Sequence, residues 1–191
     1  MEPTDVIKAR LMDERDLERT LQRMAHQLIE VFELDEARGE TFGLIGMQTR
    51  GAHLAARMQR MIHDDIGIQV PLGVLDATMY RDDFRMRMKQ PVVRETRVEF
   101  DIRNRHLVLV DDVLFTGRTL RAALDALMDM GRPASVHSLV IIDRGLRELP
   151  LRADFVGRVV PTLPGEEVRV RVRECDQMEG VWLVSHPDSE E

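Results

Sequence analysis

The sequence predicts an α/β fold in which helices flank a mostly parallel central sheet, followed by a C-terminal antiparallel portion. Three observations lead to this prediction. Segments typical of strands and helices alternate from Thr41 to Ile142, which is the order expected of a parallel sheet covered on both faces. The run His106–Val110 is short, apolar and continuous, as in strands buried on both faces. After Ala153, apolar and charged residues alternate instead, which indicates antiparallel strands with one face in water.

The first predicted helix runs from about Asp13 to Phe32. Its apolar residues recur at three- and four-residue steps and form one face; they are Leu17, Leu21, Met24 and Leu28. Basic residues recur at a similar spacing on the other face; they are Arg15, Arg19, Arg23 and His26. A solvated helix surface is the default interpretation of such a stripe.

The elements of the central sheet follow in order. The predicted strands are Thr41–Met47, Val70–Tyr80, His106–Val110 and Ser135–Ile142. The first helix between them is predicted at Gly51–His63. A second begins near Leu120 and stops at Gly131, with its apolar side formed by Leu120, Leu124, Leu127 and Met128. The antiparallel strands are predicted within EVRVRVREC and VWLVS.

One long segment interrupts the alternation. Residues 81–105 contain eight Arg or Lys and five acidic residues, which gives a locally basic insertion. A polar insertion of this length is typical of a functional lid or a disordered arm, and we predict a mobile β-arm. Residues 186–191 are predicted to be an acidic, frayed tail. We expect residues 1–191 to form one domain.

Composition excludes several classes of protein. The net charge of -7 argues against nucleic-acid binding by bulk attraction, and 4% aromatic residues are too few for a base-stacking platform. The single cysteine, Cys175, excludes a disulfide framework, and we interpret it as a half-buried strand residue. No apolar run approaches membrane-spanning length and the start is polar. These features predict a cytoplasmic protein with no membrane partner.

The stretch VLVDDVLFTGRTL places an acidic pair directly after a buried strand. Asp111 and Asp112 would lie at the carboxyl edge of the sheet, where ligands of open parallel sheets bind. The next residues, Phe115–Thr119, open a helix, and its free N–H groups and two hydroxyls suit a phosphate. A ribose 5-phosphate would use both halves, with its hydroxyls on the carboxylates and its phosphate in the loop.

Two other interpretations of this stretch are weaker. An apolar run ending in acidic residues also occurs in P-loop nucleotidases, but these require an upstream GxxxxGK[ST] motif that the sequence lacks. A turn with capping Thr and Asp residues explains each residue singly but not their combination.

VLVDDVLFTGRT resembles the phosphoribosyl diphosphate signature of the type I phosphoribosyltransferases. Further segments resemble, in order, the group of bifunctional pyrimidine-operon regulators with uracil phosphoribosyltransferase activity. These segments are RMAHQLIE (23–30), GMQTRG (46–51), GVLDATMYRDD (73–83), GRPASV (131–136) and DRGLRELPLRADFVG (143–157). YRDD together with DRGxRELPxRAD narrows the resemblance from the superfamily to this group.

The resemblance implies that uracil and phosphoribosyl diphosphate yield uridine monophosphate (UMP) and diphosphate, with Mg²⁺. It implies that Asp111 and Asp112 hold the ribose hydroxyls and, mainly through the substrate, the metal. It assigns the 5-phosphate to Thr116, Gly117, Arg118 and Thr119, and the diphosphate loop to Thr49, Arg50 and Gly51. Of these residues, the catalytic assignments are Asp111, Asp112 and Arg50. The lid assignments are Arg81, Asp82 and Asp83, and the base-facing assignments are Asp143 and Arg144.

Displacement at the anomeric carbon needs positioning and electrostatic stabilisation rather than a protein nucleophile. Purine-using relatives carry an aspartate where this sequence has Phe115, so no residue is assigned as general base. Uracil's own acidity offers one reason why no base would be needed. The preference for uracil follows from the resemblance and not from the residue pattern.

The group's second activity is binding the leader RNA of pyrimidine operons, promoted by uridine nucleotides. The resemblance places Arg23 and His26 on the RNA face, and Arg19 continues the same stripe. Leu146 and Leu163-Pro164 depart from the DRGHRELP and PTS patterns of RNA-binding members. Three hypotheses remain: a uracil phosphoribosyltransferase, an enzyme that is also an RNA attenuator, and a nucleotide-sensing regulator with little or no catalysis. A homodimer or higher homo-oligomer is expected.

Overall fold

A computed structural model of the chain describes residues 6–80 and 96–185. Within these residues the strands are β1 Val6–Met12, β2 Phe42–Met47, β3 Leu72–Leu75, β4 His106–Leu114, β5 Ser135–Asp143, β6 Phe155–Val159, β7 Glu166–Arg171 and β8 Gly180–Ser185. The helices are α1 Glu14–Val31, α2 Glu36–Gly39, α3 Arg50–Ile66, α4 Arg118–Met130 and α5 Arg173–Asp176, with a 3-10 turn at Thr78–Tyr80.

The strands form two sheets. The parallel sheet has the order β3-β2-β4-β5-β6, and the antiparallel sheet has the order β1-β8-β7. This arrangement confirms the predicted α/β fold with a parallel central sheet and a C-terminal antiparallel portion. Most of the predicted arm, including Arg81, Asp82 and Asp83, lies outside the described residues, as does the acidic tail.

Helix α1 begins at a capping box. The backbone N–H of Asp16 donates to Asp13 Oδ1 at 2.9 Å, and the Asp16 carboxylate accepts from the N–H of Asp13 in return. The hydrogen bond from Asp16 also lowers the pKa of Asp13. The predicted apolar face is confirmed, since Leu17, Leu21 and Leu28 are completely buried. The helix therefore covers one face of the parallel sheet with the residues that its periodicity selects.

Strand β4 is buried on both faces of the sheet, which explains its continuous apolar run. Val108 and Val110 pack into the core shared with α1 and α3, whereas Leu107 and Leu109 pack into the core shared with α4. Successive side chains of a strand point to opposite faces, so both faces must be apolar.

The buried side of helix α4 differs from the predicted apolar side at Met128. Leu120 and Leu127 are buried as expected, but Met128 is 51% exposed. The buried stripe instead includes Ala122, Ala123 and Ala126. Because small residues allow the helix to approach the sheet closely, the alanines set the buried side, and Met128 falls outside it.

Three further predictions were wrong in detail. The strand expected at Val70–Tyr80 is limited to Leu72–Leu75, because the Asp76 carboxylate accepts the N–H of Thr78 at 2.9 Å and turns the chain. Phe155–Val159 is not antiparallel but pairs in parallel with β5 as the edge strand. Cys175 is exposed in the short helix α5 rather than half-buried in a strand.

Strand β1 was not predicted. Its sequence VIKARLM reads as a polar N-terminal segment, yet it pairs with β8 along its length. Its residues are mostly exposed, so no apolar alternation marks it. Across residues 6–80 and 96–185 there is no helix whose length and apolarity would allow it to cross a membrane.

Candidate active site

A cleft of about 600 Å³ lies at the carboxyl edge of the parallel sheet. One wall is formed by the end of β4 and the loop that leads into α4, and the opposite wall by β7 of the antiparallel sheet. Arg50 at the start of α3 and Arg144 after β5 also line it. The cleft is therefore at the position where open parallel sheets bind ligands.

The acidic pair lies within β4 rather than just beyond it. The strand continues to Leu114, four residues past the predicted end at Val110. The N–H of Asp112 donates to Asp111 Oδ1 at 2.9 Å, and the N–H of Val113 donates to Asp112 Oδ1 at 3.0 Å. Burial raises the pKa of Asp112, and the hydrogen bond with Asp111 and the charge of Arg50 oppose this shift. Both carboxylates line the cleft.

The predicted phosphate loop faces the same cleft. Thr116, Gly117 and Thr119 line it, and Gly117 caps α4 with a left-handed φ of 92°. The N–H of Arg118 donates to Thr116 Oγ1 at 3.3 Å, and Glu148 and Leu149 donate to the carbonyl of Thr116 from the far side. The loop thus presents a helix N-terminus and hydroxyls to the cleft, as a phosphate site requires.

The side chain of Arg118 does not contribute to the wall of the cleft. Its Nε donates to Glu148 Oε2 at 2.6 Å, and Arg118 is not among the residues that line the cleft. Arg118 therefore takes part in this loop through its backbone N–H, and its guanidinium pairs with Glu148.

The predicted diphosphate loop approaches the acidic pair closely. A Cβ atom at Gly51 would lie 2.3 Å from the carbonyl oxygen of Val110, the residue before Asp111. Only glycine fits there, so the start of α3 packs directly against β4. Thr49 precedes this helix as its N-cap residue, and the peptide bond between Gln48 and Thr49 is cis. Arg50 follows Thr49 as the first residue of α3 and lines the same cleft as the acidic pair and the phosphate loop.

Arg144, the first residue after β5, also lines the cleft. It is buried, and its guanidinium carbon is 3.9 Å from the ring centroid of Phe115. Its Nε donates to Thr162 Oγ1 at 3.0 Å, and a further N–H donates to the carbonyl of Glu166. Burial lowers the pKa of Arg144, while Glu167 and Glu166 oppose the shift.

Asp143, the other predicted base-facing residue, holds the loop after β5 together. Its carboxylate accepts the N–H of Gly145 at 2.9 Å and the guanidinium of Arg147 at 2.5 Å. Arg147 also donates to the carbonyl of Phe115 at 2.7 Å. Of the two predicted residues, Arg144 lines the cleft and Asp143 braces the loop behind it.

Sequence reasoning missed the wall formed by β7. Glu167, Arg169 and Arg171 line the cleft, with Arg169 donating to Glu167 Oε2 at 3.2 Å. It also missed Asp176, which accepts two hydrogen bonds from Arg50. The alternation in EVRVRVREC places Glu167, Arg169 and Arg171 on one face of β7, but nothing in that pattern indicates that the face meets the cleft.

The basic stripe of α1 is exposed, as its default interpretation expects, and is not part of the cleft. Arg23 donates to the carbonyl of Gly157 at 2.8 Å, and His26 Nε2 is 3.1 Å from Asp65. Arg15 and Arg19 occupy the same surface beside acidic residues of α1.

In the described part of the chain, the acidic pair is the candidate contact for a metal ion. No group of three or more His, Cys, Asp or Glu side chains there could hold a metal ion. Carboxylate oxygens suit Mg²⁺, which commonly binds through one or two carboxylates together with substrate phosphates and water. The paired carboxylates of the cleft fit a metal that arrives mainly with a phosphorylated substrate.

Comparison with known proteins supports the resemblance found in the sequence. Two similar curated proteins are both named "Bifunctional protein PyrR". The protein from Thermus aquaticus is 50% identical over 176 residues, covering 92% of this chain and 95% of the relative. The protein from Deinococcus radiodurans is 45% identical over 181 residues, covering 95% and 97%.

The fold comparison reaches more distant proteins. The hypoxanthine phosphoribosyltransferase of Trypanosoma cruzi matches with a TM-score of 0.68 and 17% identity, covering 95% of this chain and 98% of that chain. At this identity the match concerns the fold alone. The family model "Phosphoribosyl transferase domain" matches residues 10–172. The cleft, the similar relatives and this match agree, and the chain belongs to the phosphoribosyltransferase family.

Proposed function

We propose that this protein transfers the phosphoribosyl group of phosphoribosyl diphosphate to uracil, forming UMP and diphosphate. We also propose that it regulates pyrimidine operons in response to UMP. The observation that carries the enzymatic proposal is the convergence of three parts on one cleft. These parts are the Asp111–Asp112 pair, the phosphate loop at Thr116–Thr119, and Arg50 at the start of α3.

The arrangement divides the substrate among these parts. The ribose hydroxyls bind the paired carboxylates, and the 5-phosphate binds the N-terminus of α4. The diphosphate then extends towards Arg50 and Arg171, which supply positive charge on the other side of the cleft. The anomeric carbon lies between these groups. Holding both ends of the substrate fixes the reacting carbon before the bond breaks.

The reaction exchanges one bond at the anomeric carbon for another. The bond from the anomeric carbon to the diphosphate oxygen breaks, the bond to N1 of uracil forms, and the N1 proton is lost. The sugar becomes positively charged in the transition state, and the carboxylates of Asp111 and Asp112 are placed to stabilise that charge. Arg50 stabilises the charge that develops on the leaving diphosphate.

We propose that Asp111 and Asp112 would hold the Mg²⁺ that accompanies the diphosphate. When bound, it would withdraw charge from the diphosphate and make it a better leaving group. Arg81, Asp82 and Asp83 are proposed to form the lid, which would exclude water from the reacting carbon.

The base is proposed to bind beside Phe115 and Arg144. Arg144 is fixed by Thr162 and by the ring of Phe115, so it is available as a rigid polar group at this end. Phe115 stands where purine-using relatives carry an aspartate, which favours a base that needs no carboxylate there. Asp143 supports this region through Arg147 rather than by contact with the base.

The test is product formation from phosphoribosyl diphosphate and Mg²⁺ with uracil, orotate, hypoxanthine or guanine. The control is the double variant Asp111→Asn/Asp112→Asn, with its fold checked by circular dichroism. UMP from uracil alone, lost in the double variant, is the expected result. No product from any base would overturn the catalytic proposal and leave a nucleotide-sensing regulator with the same phosphate site.

Leader-RNA binding is the second proposed activity, and the exposed stripe of α1 supports it. The positive charge of that stripe is partly offset, because Asp65 faces His26 and acidic residues of α1 lie beside Arg15 and Arg19. The departures Leu146 and Leu163 are both exposed, at 45% and 66%, so they alter a surface rather than the core. A basic face shared between subunits of a homo-oligomer would strengthen binding.

The RNA proposal is tested by titrating labelled leader RNA with and without UMP at several salt concentrations. Arg19→Ala/Arg23→Ala should weaken binding and reduce its salt dependence, because fewer phosphates are then neutralised. Arg38→Ala, on α2, is the control for removing an exposed arginine elsewhere. Equal binding by both variants and the parent protein would contradict the role of the stripe.

A further inference from the structure

Residues 172–179 connect β7 to β8 and include the short helix α5; we call this connection the acidic turn. Two arginines of α3 form ion pairs with it. Arg50 and Arg57 lie about two turns apart on α3, so they share a side. Arg57 donates to Glu174 at 2.8 and 2.7 Å and to Glu179 at 2.5 and 3.0 Å. Arg50 donates to Asp176 at 2.8 and 2.6 Å. Both arginines attach the same turn, but of the two only Arg50 also lines the cleft.

Asp176 is held more firmly than an ordinary surface carboxylate. Its side chain is 5% exposed, and it also accepts from Arg171 at 3.1 Å and from the N–H of Val172 at 3.1 Å. Burial alone would raise the pKa of Asp176, but hydrogen bonds from Arg50 and Val172 hold it below its ordinary value. The carboxylate is therefore a fixed, ionised acceptor behind the cleft.

We propose that Asp176 is a positioning residue for the diphosphate end of the substrate, because it fixes the plane of the Arg50 guanidinium. Arginine has more N–H donors than one carboxylate can accept, so the two-point contact leaves others for the cleft. Asp176 also joins Arg50 to Arg171, and both arginines line the cleft. This inference rests on the proposed function, which places the diphosphate against these arginines.

Asp176 could affect phosphoribosyl diphosphate binding by orienting Arg50 or by neutralising nearby positive charge, and these two effects predict opposite results for Asp176→Asn. Asp176 partly neutralises Arg50 and Arg171, so its removal makes the cleft more positive. If charge alone mattered, Asp176→Asn would bind phosphoribosyl diphosphate more tightly. If position matters, the variant binds it more weakly, because an asparagine cannot accept two N–H groups with its two side-chain atoms and Arg50 then samples other orientations.

The experiment measures binding by calorimetry in the absence of uracil, for two ligands that differ in the diphosphate. These are phosphoribosyl diphosphate with Mg²⁺ and ribose 5-phosphate. The matched control is Glu179→Gln, which removes a carboxylate of the same turn with the same 5% side-chain exposure but whose partner Arg57 lies outside the cleft wall. Both variants are compared in melting temperature, which reports their structural cost.

For Asp176→Asn we expect affinity for phosphoribosyl diphosphate to fall roughly tenfold to a hundredfold, since losing one well-placed hydrogen bond to a charged group costs a factor of this order. Affinity for ribose 5-phosphate should be unchanged. Glu179→Gln should change neither. Unchanged or tighter binding of phosphoribosyl diphosphate by Asp176→Asn, or equal losses for both ligands, would overturn the inference.

Two further outcomes are also decisive. If Asp176→Asn does not fold, Asp176→Glu keeps the charge and displaces the carboxylate by one methylene; selective loss of phosphoribosyl diphosphate supports positioning, and its absence refutes it. A parent protein that binds phosphoribosyl diphosphate but forms no UMP would overturn the proposed activity and leave this inference standing.

Discussion

The ring of Phe115 covers the guanidinium of Arg144, with 3.9 Å between the guanidinium carbon and the ring centroid. Phe115 follows the strand that carries the acidic pair, and Arg144 follows the neighbouring strand β5. Arg147 joins the two loops through the carbonyl of Phe115 and the carboxylate of Asp143. The proposed base site and phosphate site are thus braced as one unit.

Replacing Phe115 tests this unit. Phe115→Leu removes the cation–π contact, and we expect the free energy of unfolding to fall by about 1 kcal/mol. The KM for uracil should rise, because Arg144 loses its support, while the KM for phosphoribosyl diphosphate stays nearly constant. Steady-state kinetics and urea denaturation measure the two effects. Leu146→Ala, an exposed apolar change in the adjacent loop, is the control, and an unaltered KM for uracil in Phe115→Leu would contradict the assignment.

The ionised carboxylate of Asp112 should lower the stability of the unliganded protein at neutral pH. Burial raises the pKa of Asp112, so the folded state binds more protons than the unfolded state between the ordinary and the raised value. Stability contributed by the protonated group is therefore lost as pH rises through that window. Asp112→Asn removes this cost, and we expect the melting temperature at pH 7 to increase by roughly 2–4 °C while UMP formation is lost.

The increase should shrink as the pH falls below about 4, where Asp112 becomes protonated in both states. Calorimetry at several pH values measures this trend. Asp125→Asn, an exposed carboxylate of α4, serves as the control and should show no such gain. A lower melting temperature for Asp112→Asn at pH 7 would show that the charge of Arg50 outweighs burial.

Gly51 should tolerate no side chain. In Gly51→Ala the new Cβ meets the carbonyl of Val110 at 2.3 Å, and a backbone atom cannot rotate away. We expect a loss of about 3 kcal/mol in stability together with lost activity, because α3 is pushed from the acidic pair. Gly67→Ala is the matched control: its Cβ enters open space and only its left-handed φ of 76° is strained, at about 1 kcal/mol. Equal unfolding free energies for the two variants would argue against the close approach.

Arg57 should be a stability residue rather than a catalytic one. Arg57→Leu leaves Glu179, at 5% side-chain exposure, with the longer contact to Arg173 at 3.7 Å, and we expect a loss of about 3 kcal/mol in the free energy of unfolding. Glu174→Gln removes the more exposed partner, at 31%, and should cost less than about 1 kcal/mol. Guanidinium denaturation distinguishes the two. Comparable losses for the two variants would mean that Arg173 compensates Glu179 without Arg57.

Much of the fold was predictable because it depends on local spacing. The face of α1, the double burial of β4 and the Gly131 stop of α4 follow from periodicity and from one residue's conformational freedom. The errors have local causes as well. The Asp76 turn shortens β3, and the small residues Ala122, Ala123 and Ala126 shift the buried side of α4. Edge strands β1 and β6 carry too little apolar alternation to reveal their partners.

The candidate site divides in the same way. The sequence by itself determined the acidic pair and the phosphate loop, because their residues are consecutive and strand and helix geometry places them at one edge. Only the tertiary structure decided that Asp176 holds Arg50 across 126 residues of sequence, that β7 closes the cleft, and that Arg118 turns to Glu148. Such contacts depend on how separate elements pack, and the spacing of residues along one element carries no information about the element that it meets.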